Sequence, residues 1–169
     1  MKIQIRRAKI SDIPSLVEKV QKFYSFLKDR GARDIAHDEA VLRGGIVIEI
    51  GAGFSNPNCL YVVAVKDSEV VAFMIGLLEY CPPTSEFHRC VKIHADYLEN
   101  DSLVGGKVLL GMWGVIESWA KENGAGYFYA NIHPGNQPSV RAAKSIGFKH
   151  QYTQFYRPIE LEKKVEESK

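Results

Sequence analysis

The chain has 169 residues, 46% of them hydrophobic and 25% charged, which suits one globular α/β domain with a substantial core. With 22 Lys and Arg against 20 Asp and Glu its formal charge is only +2. That leaves no broad basic field for nucleic acid or an anionic membrane and favours small-molecule or protein partners.

The N-terminus, MKIQIRRAKISD, turns charged too early for a signal peptide, and no apolar run reaches the roughly 18 residues of a membrane span, so the expected compartment is the cytosol. Cys59, Cys81 and Cys90 have no CxxC spacing, and their odd number argues against a disulfide framework. His88, Cys90 and His94 alternate on one run, but alternation is how strand residues divide between burial and solvent, so no metal is expected.

Residues 3 to 7, IQIRR, alternate apolar and basic and predict a short half-buried strand. Ser11 and Asp12 offer an N-cap ahead of Pro14. From there Ile13, Leu16, Val17, Val20, Phe23, Tyr24 and Leu27 recur at helical spacing, predicting a helix to about Asp29 that stops at Gly31. The next stretch, HDEAVLRGGIVIEIGAG, reads as a short helix around 37 to 43, a Gly-Gly break, then further helix or an edge strand; GFSNPN reads as a loop.

CLYVVAVK and VVAFMIGLLEY, separated by Asp67, Ser68 and Glu69, predict an antiparallel hairpin. After the two prolines of CPPTSEF, HRCVKIHADYL predicts another strand. The stretch SLVGGKVLLGMWGVIESWAKENG then sets a glycine pair before a long apolar helix that ends on Asn-Gly. A strand, a glycine turn and a helix N-terminus leave backbone N–H groups free to meet phosphate. GYFYANI follows as a strand in which Tyr127 and Tyr129 share one face and Phe128 takes the other. The HPGNQP turn, a helix over about 138 to 145, Gly147 as its stop and a last strand over 148 to 157 complete the order. Residues 1 to 158 form a single domain, one mixed sheet with helices on its faces, and 159 to 169 a charged tail.

In NQPSVRAAKSIGF an Asn is followed by Ser three residues later and by Gly-Phe closing the helix. With the order of elements, Asn136, Ser139, Gly147 and Phe148 resemble the closing motif of the GNAT superfamily of N-acetyltransferases, and the resemblance covers nearly the whole chain. It implies an α/β (α+β) fold with a mixed, mostly antiparallel, splayed sheet of six to seven strands and helices on both faces. It implies acetyl-CoA as cosubstrate, an amine on a small molecule or protein as acceptor, no metal and a homodimer; the near-neutral charge and the lack of a long apolar run add the expectation of no nucleic acid and no membrane.

The resemblance also implies which residues hold the coenzyme. Backbone of Tyr97, Leu98 and Glu99 would pair with pantetheine. Val104, Gly105, Gly106, Lys107, Val108 and Leu109 would face the pyrophosphate, and Asn136, Ser139, Arg141 and Ala143 would lie along the remainder. Val104, Lys107 and Leu109 stand where the family has Arg, Gly and Gly or Ala, and Ala143 stands where many members have a Tyr that protonates the leaving thiolate. For that acid Ser145, Tyr129 and Tyr152 are the alternatives. For the base that takes the amine proton they are His94, Asp96 and Glu79, near the ends of the third and fourth strands. Two functions stay open on these residues, an acetyltransferase and an acyl-CoA-binding module of the same fold with weak or no catalysis.

Overall fold

Two apolar runs build the centre of the molecule. In the computed structural model, which describes residues 3–32, 35–98 and 105–151, they form β2 (Cys59–Lys66) and β3 (Glu69–Tyr80), paired from Cys59–Leu77 to Lys66–Glu69. The loop is only Asp67 and Ser68. Both have positive φ, 50° and 71°, the conformation a two-residue hairpin needs to match the twist of its strands.

The sheet grows outward from this pair. β1 (Gln4–Arg7) lies antiparallel on β2, β4 (Arg89–Leu98) antiparallel on β3, and β5 (Tyr127–Ala130) parallel on β4, giving the order β1-β2-β3-β4-β5. Five strands are thus present among the described residues where six to seven were expected. Of the last strand read over 148 to 157, residues 148 to 151 are not in a strand and the rest lie outside the described residues.

Strand alternation feeds two cores. Val62, Met74, Leu78 and Val91 point to one face and pack against Val108, Met112, Ile116 and Trp119 of α3 (Gly105–Glu122). Tyr61, Val63, Phe73 and Ile75 point to the other. There they meet Leu16, Val17, Val20 and Phe23 of α1 (Ile13–Lys28) and Ile46 and Ile50 of α2 (Glu39–Ser55).

α1 ends as expected, with Gly31 at φ 87°. Its start differs from the reading of Asp12 as a plain N-cap. Asp12 lies in a 3₁₀ turn (Ile10–Asp12), and its carboxylate turns back to accept from Lys9 N at 2.7 Å and from the Arg6 guanidinium at 2.6 and 3.0 Å.

α2 departs most from the sequence reading. Residues 39 to 55 are one helix, so the Gly-Gly pair does not break it and Gly53 to Ser55 belong to it rather than to a loop. Asp38 caps the N-terminus by accepting from Ala40 N and Val41 N at 2.8 and 2.9 Å. Each glycine in a helix costs about 0.5–1 kcal/mol, whereas full burial of Ile46 and Ile50 stabilises by about 1.5–3 kcal/mol apiece, and burial wins. Gly53 is required for another reason: a Cβ there would stand 2.1 Å from the Tyr61 hydroxyl.

Candidate functional site

The site begins where two parallel strands part. β4 and β5 pair from Cys90–Tyr127 to Ile93–Ala130; β5 then ends, while β4 continues to Leu98 paired only with β3. Along this stretch the outer backbone edge of β4 has no neighbouring strand among the described residues. An unpaired strand edge is a row of N–H and C=O groups set at 4.7–4.9 Å from any extended chain that joins it, roughly the sheet spacing.

Two small hollows open at the parting, about 30 and 40 Å³ in volume and open to solvent. The first is apolar. It is lined by Leu109 and Trp113 of α3, by Ala142 and Ala143 of α4 (Gln137–Ser145), and by Ile146 and Phe148. The second lies toward α1 and brings His94, Asn131, His133 and Asn136 together over an apolar floor of Phe23 and Leu27. Ile93, Ala130, Ile132 and Ser139 line both, so the two form one cleft through the sheet.

His94 follows Ile93, which faces the α3 core, and so faces α1 and α2; it also sits at a register break. Ile75 pairs with Ala95 and Gly76 with Ile93, leaving His94 as the extra residue of a β-bulge. Its Nε2 lies 2.8 Å from Glu49 Oε1 on α2, and Glu49 Oε2 accepts from the Tyr24 hydroxyl at 3.4 Å. The Glu49 carboxyl is held below the ordinary carboxylate range chiefly by the hydrogen bond from His94, against the opposing effect of burial. Its side chain is 37% exposed and that of His94 36%, so the pair is open to solvent and to the cleft.

Further along the same face the Tyr129 hydroxyl donates to Glu79 Oε2. Burial first, and then this bond to the carboxylate, push the Tyr129 phenol above its ordinary value, so it keeps its proton. Glu79 and Tyr129 are therefore joined to each other, and neither lines the cleft at His94. Beside them burial raises the Cys90 thiol, and hydrogen bonding to Cys90 and then Cys81 raises Tyr127.

The remaining expected residues fall on β4, α3 and α4 or outside the described residues. Glu99, Val104 and Tyr152 lie outside the described residues, while Asp96, Tyr97 and Leu98 are placed by register on β4 opposite Met74, Phe73 and Ala72. Gly105, Gly106, Lys107 and Val108 form the first turn of α3, where backbone N–H groups have no partner within the helix; Lys107 is exposed and Val108 buried. Leu109 lines the apolar hollow, as does Ala143.

In α4, Asn136 is 5% exposed and caps the helix by accepting from Ser139 N at 3.3 Å. Arg141 is exposed. Ser145 is exposed too and donates to Ala142 O at 2.7 Å, away from both hollows. Glu49 and Tyr24 were not singled out from the sequence. The available signal was that Glu49 shares the inward helical spacing of Ile46 and Ile50, visible only once residues 39 to 55 are read as one helix.

No family model matches the sequence, and no curated protein matches it. Solved structures do. An aminoglycoside antibiotic 6'-N-acetyltransferase from Acinetobacter haemolyticus superposes with a TM-score of 0.72 at 15% identity, over 94% of this chain and 99% of that one. A predicted acetyltransferase from Clostridium acetobutylicum, solved with acetyl-CoA, gives 0.72 at 19% identity over 93% and 96%. An aminoglycoside N-acetyltransferase in complex with CoA gives 0.74 at 11% identity over 93% and 95%. The fold is therefore that of the GNAT acetyltransferases, the architecture the closing motif and element order imply.

Proposed function

From this fold we propose that the protein is an acetyl-CoA-dependent N-acetyltransferase acting by direct transfer. The observation that carries the reading is the parting of β4 from β5 with a bulged, cleft-facing histidine beside it. The residues fit the coenzyme in three places. The edge of β4 at Tyr97 and Leu98, which has no neighbour among the described residues, offers backbone partners to the pantetheine amides, the first turn of α3 offers N–H donors to the pyrophosphate, and exposed Lys107 adds a charge there. The two similar structures solved with acetyl-CoA or CoA support this assignment.

The chemistry is aminolysis of a thioester. The amine nitrogen forms a bond to the carbonyl carbon, the C–S bond breaks, and coenzyme A leaves as thiolate. The proton released by the amine passes to His94, a contribution typically worth about 10² to 10⁴ in rate. Ala143 supplies no hydroxyl for the leaving sulfur, which departs without an acid at that position. Aminoglycosides head the acceptor panel because they are named for two of the similar structures. The cytosol and a homodimeric state belong to the same reading.

The binding half is tested by thermal shift with acetyl-CoA. Ligand at a hundred times its dissociation constant stabilises by about 2.7 kcal/mol. For a chain of this size that raises Tm by roughly 5–10 °C. No shift at millimolar ligand overturns the reading and leaves the fold untouched. Bulky Leu109 on the hollow and the missing hydroxyl at Ala143 favour a second reading, a coenzyme-binding module with little catalysis. Thiol release across an amine panel separates the two: binding without release supports the module.

A further inference from the structure

We propose that Glu49 is a positioning residue that fixes His94 as its Nε2–H tautomer, so that Nδ1 is the atom that takes the proton of the attacking amine. The inference rests on the acetyltransferase reading and adds to it an acidic partner from another element, 45 residues away. The tautomer follows from geometry. Glu49 Oε1 stands 2.8 Å from Nε2, and an ionised carboxylate has lone pairs only, so Nε2 must carry the hydrogen and donate it. A neutral imidazole then has its single lone pair on Nδ1. Among the described residues nothing is hydrogen-bonded to that atom, and His94 lines the hollow toward α1.

Three features hold the pair in place. Ile46, about one turn before Glu49, and Ile50, the residue after it, are buried in the α1–α2 core and fix the rotation of α2. The Tyr24 hydroxyl donates to the second oxygen at 3.4 Å. Strand alternation supplies the third: Val91 and Ile93 face the α3 core, so His94, the next residue of β4, faces α2. The proton balance is simple: the amine loses one proton to Nδ1 as its nitrogen bonds to carbon, and the imidazolium that forms is stabilised by the carboxylate on Nε2.

The decisive experiment is long-range ¹H–¹⁵N spectroscopy of histidine-labelled full-length protein at alkaline pH, with H94Q identifying the His94 signals. In the wild type Nε2 is expected to be protonated and Nδ1 not. In E49Q the amide N–H can donate to Nε2, so the Nδ1–H tautomer should gain population, and E49D should restore the wild-type pattern. An Nδ1–H tautomer in the wild type, or unchanged populations in E49Q, overturns the proposal.

Kinetics with acetyl-CoA and neamine, the acceptor portion of the bisubstrate analogue bound in one similar acetyltransferase, supply an independent arm. E49Q should lower kcat about tenfold to a hundredfold with little change in KM, and should cost nothing further in an H94Q background. A KM increase of the same size in both backgrounds would mean that Glu49 binds the amine itself, which also overturns the proposal. If no amine is acetylated but the tautomer results hold, the acetyltransferase reading fails and the role of Nδ1 with it, while the tautomer fixed by Glu49 stands.

Discussion

At the scale of single residues, charges placed near each other decide more than their number. Arg6 and Asp12 are six apart in sequence and come together because β1 and the 3₁₀ turn meet beneath α1; their side chains are 21% and 11% exposed. The Arg6 hydrogen bond, more than any other influence, holds the Asp12 carboxyl below its ordinary range. A carboxyl whose folded pKa is depressed binds protons less readily when folded than when unfolded. Its stabilisation is thus present above the unfolded value, near 3.9, and is lost as pH falls through the folded one. Thermal melts of wild type and D12N from pH 7 to pH 2 should therefore converge in acid, with D12N less stable at neutrality and flatter in its dependence below about pH 4. Parallel curves would show that Asp12 acts through shape rather than charge.

At the scale of elements, what the sequence disclosed was whatever repeats locally. The β2–β3 hairpin, α1, α3 and the Gly147 stop each carry their own period or punctuation, and the structure has them within a few residues of where the pattern places them. α2 was not legible in that way. Its glycines argue for a break and its IVIEI run imitates strand alternation, while what holds it helical is the distant pairing of Ile46 and Ile50 with α1 and the sheet. The candidate site divides along the same line. Asn136, Ser139 and Ala143 could be found from a linear motif, whereas the partnership of Glu49 with His94 depends on α2 being one helix laid over the face of the sheet that carries His94.

Because burial of Ile46 and Ile50 holds α2 helical, its exposed glycines should be dispensable. Gly44, Gly45 and Gly51 have no heavy atom within 4 Å of where a Cβ would sit, and none has positive φ. Alanine at each should stabilise by about 0.5–1 kcal/mol through a less flexible unfolded chain. The corresponding rise in Tm is roughly 1–4 °C per substitution. Gly53→Ala, pressed against Tyr61, should instead destabilise. Destabilisation at Gly44, Gly45 or Gly51 would contradict a single continuous helix, and stabilisation by Gly53→Ala would contradict the close contact with Tyr61.

At the scale of the whole molecule, one sheet serves two cores. Neighbouring residues of β2 and β3 point to opposite sides, so Val62 and Met74 belong to the α3 core while Val63 and Phe73 belong to the α1–α2 core. Neither core can loosen without disturbing strands whose other face is packed, and unfolding should therefore be one transition. The two tryptophans provide a test because both, Trp113 and Trp119, lie on α3 and report only on its side of the sheet. Phe73 is fully buried on the other side, in T-shaped contact with Phe23 at 6.4 Å between ring centroids. Phe73→Ala should cost about 3–5 kcal/mol. In the two-state case tryptophan fluorescence and far-UV circular dichroism should register the same drop in midpoint, on the order of 10 °C. A fluorescence midpoint that stays in place while the circular dichroism moves would mean that the α3 core stands alone, and the cleft, whose walls come from both cores, would then lack a common rigid frame.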